Sequence, residues 1–233
     1  MRILVNSNPR TGTTYLINML RWSANHHLDR NRNGEYSNQE EWIIKSHEPL
    51  LILANIPGVS QITIVRDPID TIASNMFRHT SGLNSNSIWG HTGVSNENKT
   101  KDYNNPRFLD GLNQSVAKWK EYTENTVSNK HNVTAILFED LISNTPNILF
   151  DIFSKQGASL ETLQNISTES IESYTSKMER DLQFNPNHVN GTDNRLPVAK
   201  PDEYYEVKDF IINSPYASEL VDLYLEVKDT LFK

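Results

Sequence analysis

The sequence predicts an α/β fold with a central parallel β-sheet flanked by helices, and three observations predict it. Short apolar runs suited to buried strands recur at residues 3–5, 41–45 and 61–65. Each is followed by a stretch whose apolar residues take helical spacing. Each run also ends in polar residues, at the strand end where parallel α/β sheets bind ligands.

The first unit is the most informative. Ile3, Leu4 and Val5 form the strand, the loop 6–12 carries Pro9, Arg10 and Gly12, and Tyr15, Leu16, Met19 and Leu20 give the helix over 13–22 its apolar face. A strand, a tight polar loop and a helix start aim backbone N–H groups and the positive end of the helix dipole at an anion. Gly12 permits close backbone approach, Thr11, Thr13 and Thr14 add hydroxyls, and Arg10 adds a fixed positive charge. The stretch lacks the paired glycines and the Lys of the common nucleotide triphosphatase loop. Its other reading is a strand-to-helix turn with a chance Gly-Thr-Thr cap.

The second strand ends at Lys45, Ser46, His47 and Glu48, and Pro49 permits a new helix through Leu50, Leu51 and Leu53. The third, rich in β-branched residues, closes at Arg66-Asp67-Pro68. Asp67 is the expected N-cap and Pro68 the first helical residue, with Ile69, Ile72, Ala73, Met76 and Phe77 facing inward. Periodicity is lost over 79–108, which predicts an irregular segment that is functional or mobile. A helix is predicted over 112–126, a fourth strand over 133–138, and a helix over 146–154. Residues 159–180 read as a weakly amphipathic helix, 185–201 as a polar loop, and 216–232 as a closing helix. No linker or repeat divides the chain, so one domain over 1–233 is expected.

Composition narrows the function. A net charge of −7 argues against a general nucleic-acid or membrane-surface partner, though not against a local basic pocket. The chain has no cysteine, hence no disulfide framework and no thiolate nucleophile or metal ligand. The seven histidines show no zinc-like spacing, and no metal is expected. Without a signal-like segment or an apolar stretch of membrane length, a cytoplasmic location is the default expectation. Trp42 and Trp119 read as core residues, and the pair Glu139 and Asp140 as structural at a strand end.

Three strand ends thus carry complementary cations and hydroxyls. Residues 8–15, Asn-Pro-Arg-Thr-Gly-Thr-Thr-Tyr, resemble the 5′-phosphosulfate loop of the sulfotransferases that use 3′-phosphoadenosine-5′-phosphosulfate (PAPS). Residues 64–74, from Ile64-Val65-Arg66-Asp67-Pro68 to Ser74, resemble their 3′-phosphate segment. Lys45-Ser46-His47 is similar to the Lys-Thr-His of the cytosolic branch, whose His is the base, and Phe138-Glu139-Asp140-Leu141 resembles a further landmark. The chain departs from the cytosolic pattern in having Arg10 where Lys is usual. It also lacks the Arg-Lys-Gly signature of the C-terminal loop, whose place the segment 187–195, ending in Arg195, takes.

The resemblance implies a P-loop NTPase-like sulfotransferase fold and transfer of a sulfuryl group from PAPS to a hydroxyl or amine by in-line displacement. Arg10, supported by Lys45, is implied to stabilise charge on the departing phosphate, and His47 to act as base. Thr11, Gly12, Thr13 and Thr14 would hold the 5′-phosphate. Arg66 and Ser74 would hold the 3′-phosphate, with Arg195 completing the clamp. The acceptor is expected to be a small molecule or glycan bearing a hydroxyl, met by the segment 79–108, and the product nucleotide is 3′,5′-adenosine bisphosphate.

Plainer readings stand beside these roles. His47 also reads as a strand-end histidine hydrogen-bonded to backbone, with Glu48 as an alternative base. Arg66 reads as a partner of Asp67 or Asp70, and Arg195 as a solvated loop residue. A metal-dependent small-molecule or nucleotide kinase and a catalytically silent nucleotide-binding module are the competing functions.

Overall fold

A computed structural model describes residues 2–24, 42–47, 57–80, 103–104, 106–158, 163–164, 166 and 202–233. These fall into two compact units. The first comprises residues 1–7, 11–65 and 129–198, and the second residues 8–10, 66–128 and 199–233.

The first unit holds the sheet. Its strands are β1 (Arg2–Asn6), β2 (Trp42–Ser46), β3 (Ser60–Val65) and β4 (Val133–Leu137), in spatial order β2-β1-β3-β4 and all parallel. The predicted fold class is therefore the observed one. β1 lies inside the sheet, paired from Arg2 with Trp42 through Asn6 with Ser46 on one side and from Ile3 with Ser60 on the other. Its continuous apolar run suits a strand covered on both faces, and Ile3, Leu4 and Val5 are fully buried.

Helix α1 (Thr13–Ala24) packs Leu16, Ile17, Met19 and Leu20 onto the face bearing Ile3, Val5, Ile43, Ile62, Ile64 and Ile136. Burial of each such side chain contributes about 1.5–3 kcal/mol. Beyond β4 the chain turns at once into a short helix, α4 (Phe138–Ser143), and then into α5 (Thr145–Lys155). α5 adds Leu149, Ile152 and Phe153 to the same core. Its end is a glycine cap: Gly157, at φ 65°, lets its own N–H reach Ser154 O and that of Ala158 reach Phe153 O.

The second unit is helical: α2 (Pro68–Thr80), α3 (Pro106–Ser128), α6 (Asp202–Ile212) and α7 (Ala217–Phe232). α2 packs against α3, α6 and α7. Its start is as the sequence predicts, with Asp67 Oδ1 accepting the Asp70 N–H at 2.9 Å and Pro68 as the first helical residue. Ile69, Ile72, Ala73 and Met76 face inward, as does Trp119 of α3.

Three elements differ from the expectations. α3 begins at Pro106 rather than near 112, because Pro is well placed at a first helical position and Phe108 is buried in an aromatic cluster with Tyr103 and Phe210. Phe138 starts α4 instead of ending β4, which puts Glu139 and Asp140 in a first helical turn, where acids are favourable. α6 lies where no element was foreseen. The predicted helix at 49–53, the helix over 159–180 and the loop 185–201 fall wholly or largely outside the described residues, and so does most of the segment 79–108.

Candidate active site

The loop before α1 lies at the C-terminal end of β1, as its sequence requires. In the first unit, Gly12 O accepts the Leu16 N–H at 3.0 Å. That bond makes Gly12 the N-cap, and the N–H groups of Thr13, Thr14 and Tyr15 precede the first intrahelical bond. Gly12 takes φ 96°, and a Cβ added there would stand 2.8 Å from the Phe138 ring. The glycine is thus required twice, by its backbone angle and by the ring beside it.

Buried hydroxyls brace this loop from within. Ser7 Oγ lies 2.9 Å from Thr11 Oγ1 and 2.6 Å from Thr13 Oγ1, and all three residues are buried. Thr11 and Thr13 therefore shape the loop with their side chains. Thr14 differs. It is half-buried, and its hydroxyl accepts from Lys45 Nζ at 2.9 Å, which brings the β2 cation onto the first turn of α1.

His47 follows β2 by one residue, and its Nδ1 lies 2.7 Å from Ser7 O. A carbonyl only accepts, so Nδ1 carries the hydrogen and the lone pair of the neutral ring lies on Nε2. This is the backbone bond that the structural reading of His47 expects. It also fixes the tautomer that a base acting through Nε2 requires.

In the second unit, Arg10 has φ 72°, a left-handed conformation that costs a non-glycine residue about 1–2 kcal/mol. Two contacts hold it. Arg66 Nη1 donates to Arg10 O at 2.9 Å, and Arg10 Nε donates to Ser74 Oγ at 3.3 Å. Arg10, Arg66 and Ser74, from two separate sequence motifs, are thereby joined in one hydrogen-bonded group.

That group continues into residues that the sequence did not single out for function. Arg66 Nη2 stands 3.9 Å from Asp70 Oδ2, the pairing its plainer reading anticipates. Asp70 Oδ1 in turn accepts from Tyr204 Oη at 3.0 Å and faces Lys208 Nζ at 2.6 Å, both on α6. Burial pushes the Asp70 carboxyl up, but hydrogen bonds from Lys208 and Tyr204 and the charge of Arg66 outweigh it and hold it below its usual value. Burial and the Asp70 charge push the Tyr204 phenol well up. The available signals were the four-residue spacings of Arg66 with Asp70 and of Tyr204 with Lys208, each one helical turn.

Arg195 and Glu48 lie outside the described residues. Among the described residues, no group of three or more His, Cys, Asp or Glu could hold a metal ion, and no helix is long and apolar enough to cross a membrane.

By sequence, neither a family model nor a curated protein matches the chain. Solved structures do. The chain is similar to retinol dehydratase in a complex with retinol and PAP, at TM-score 0.55 and 14% identity over 100% of this chain and 82% of that one. It is also similar to the mouse sulfotransferase SULT7A1 complexed with PAP, at TM-score 0.54 and 17% identity over 97% and 88%. This is the sulfotransferase fold. A second retinol dehydratase structure, with androsterone and inactive cofactor PAP, superposes on this fold at TM-score 0.52 and 15% identity, covering 100% and 82%. The resemblance read from the motifs thus extends to the sulfotransferase fold of these neighbours.

Proposed function

We propose that the protein is a PAPS-dependent sulfotransferase that moves a sulfuryl group onto a hydroxyl, or an amine, of a small molecule or glycan. The observation that carries this reading is the Arg10–Arg66–Ser74 group. Residues 56 and 64 positions apart are drawn together around a strained backbone, and they are those the 3′-phosphate and phosphosulfate motifs supply. Two guanidinium groups and a hydroxyl suit one anionic group, and a helix start with Thr14 and Lys45 suits another. The neighbours crystallised with PAP, and with retinol or androsterone, support the nucleotide and a small hydroxyl-bearing acceptor.

PAPS supplies a sulfuryl group already activated by attachment to phosphate. The backbone N–H groups of residues 12–14 bind the 5′-phosphate, and Arg66 and Ser74 bind the 3′-phosphate through charge-assisted hydrogen bonds. Arg10 and Lys45 stabilise negative charge as it grows on the leaving oxygen, a task that falls to positioned cations in related phosphoryl transfers. His47, with Nδ1 committed to Ser7 O, takes the acceptor proton on Nε2.

Incubation with PAPS and a panel of phenols, alcohols and amines tests this. Acceptor-dependent release of 3′,5′-adenosine bisphosphate, with sulfate recovered on the acceptor, is expected. Phosphoryl transfer from Mg-ATP to the same acceptors contradicts it.

A further inference from the structure

Arg66 is the residue on which recognition of a 3′-phosphate depends in the proposed function, and a long arginine side chain loses rotamer freedom on binding unless it is preset. In this chain the guanidinium is hydrogen-bonded on one side and faces a carboxylate on the other. Nη1 is committed to Arg10 O at 2.9 Å, and Nη2 faces Asp70 Oδ2 at 3.9 Å. Asp70 is itself held from outside its own helix. Both donors from α6, Tyr204 Oη and Lys208 Nζ, converge on Oδ1 and leave Oδ2 turned toward Arg66. The Tyr204 side chain is 3% exposed, so its bond to Asp70 is sheltered, whereas Lys208 and Asp70 are about one-third exposed.

As a stability device this cluster is weak, because partly exposed ion pairs contribute little. Its geometry serves orientation better. Two donors on one carboxylate oxygen fix the plane of the carboxylate, and that plane fixes where its second oxygen meets the arginine. We propose that Asp70, anchored by Tyr204 and Lys208, is a positioning residue that presets the Arg66 guanidinium for the 3′-phosphate. Helix α6 thereby takes part in nucleotide selection without touching the nucleotide. The inference rests on the sulfotransferase reading.

Positioning and simple charge predict opposite signs. A carboxylate beside a phosphate site repels the ligand, so if charge alone mattered Asp70→Asn would tighten binding. If Asp70 positions Arg66, Asp70→Asn weakens it. Tyr204→Phe changes no charge and keeps the buried ring, so it isolates the orienting bond.

The experiment is titration calorimetry of wild type, Asp70→Asn and Tyr204→Phe with 3′,5′-adenosine bisphosphate and with AMP, with thermal melts confirming that each variant is folded. The expected result is a loss in bisphosphate affinity of roughly tenfold for Asp70→Asn, the lower end of what groups orienting a direct ligand contact are worth elsewhere. A smaller loss is expected for Tyr204→Phe, with AMP affinity unchanged in both. Equal or tighter bisphosphate binding in Asp70→Asn overturns the inference, and so does an unchanged Tyr204→Phe if Asp70→Asn does not fold. A wild type that does not prefer the bisphosphate to AMP overturns the nucleotide reading itself and this inference with it. A preference for the bisphosphate undiminished in both variants overturns this inference alone.

Discussion

His47→Ala is expected to lower turnover by about 10²- to 10⁴-fold while leaving nucleotide binding intact. The expectation follows from the bond between Nδ1 and Ser7 O, which spends the ring's N–H on the backbone and leaves Nε2 as the proton acceptor. A base of this kind acts only as the acceptor attacks, so its loss falls on kcat, with little change in the affinity for 3′,5′-adenosine bisphosphate. His47→Asn separates the two roles of the ring, since its amide N stands where Nδ1 does and can still donate to Ser7 O but cannot accept a proton at neutral pH. Equal loss in both variants assigns the effect to proton transfer. Full activity in His47→Asn contradicts the base assignment and leaves His47 with its structural bond alone.

The second large effect concerns Arg10, and the choice of substitution matters. At φ 72° alanine would keep the backbone strain that arginine already bears, whereas glycine accepts that conformation readily. Arg10→Gly therefore removes the guanidinium and its bond to Ser74 while preserving the carbonyl that Arg66 uses. Turnover is expected to fall about 10²- to 10³-fold, as when a donor to developing negative charge is removed. The melting temperature should hold or rise. Turnover within a few-fold of wild type, in a variant that melts normally, contradicts the role of Arg10 at the leaving group.

The fold was legible where a local signal had one meaning. Ile3, Leu4 and Val5 were too apolar for a loop and too few for a helix, and the sheet places them at its centre. Asp67 with Pro68 marked the start of α2 to the residue, because a capping carboxylate and a proline at the first turn are compatible with little else. Phe138 was ambiguous, since an aromatic residue extends a β-branched run as well as it opens a helix. α6 was missed although Tyr204, Val207 and Ile211 sit on its buried side, because Asp202, Glu203, Glu206, Lys208 and Asp209 interleave with them and dilute the apolar pattern.

The loop chemistry of the site was legible for the same local reason: Gly12, the threonines and Arg10 lie within five residues. The sequence did not reveal how the side chains divide the work. Nothing in the order of residues shows that Thr11 and Thr13 turn onto Ser7, that Arg66 reaches the Arg10 carbonyl, or that Asp70 is gripped by residues of a helix more than a hundred positions away. Those are contacts between distant segments, and they exist only once the chain is folded.

The central claim is that this chain binds an adenine nucleotide by its 3′-phosphate, and the most direct measurement is a thermal-shift comparison of the wild-type protein with 3′,5′-adenosine bisphosphate, AMP and Mg-ATP. Ligand at about a hundred times its dissociation constant adds roughly 2.7 kcal/mol. For a chain of this size that raises the melting temperature by several degrees. The account predicts a clear rise with the bisphosphate in the presence of EDTA and little with AMP. A rise with Mg-ATP alone would contradict it in favour of a kinase.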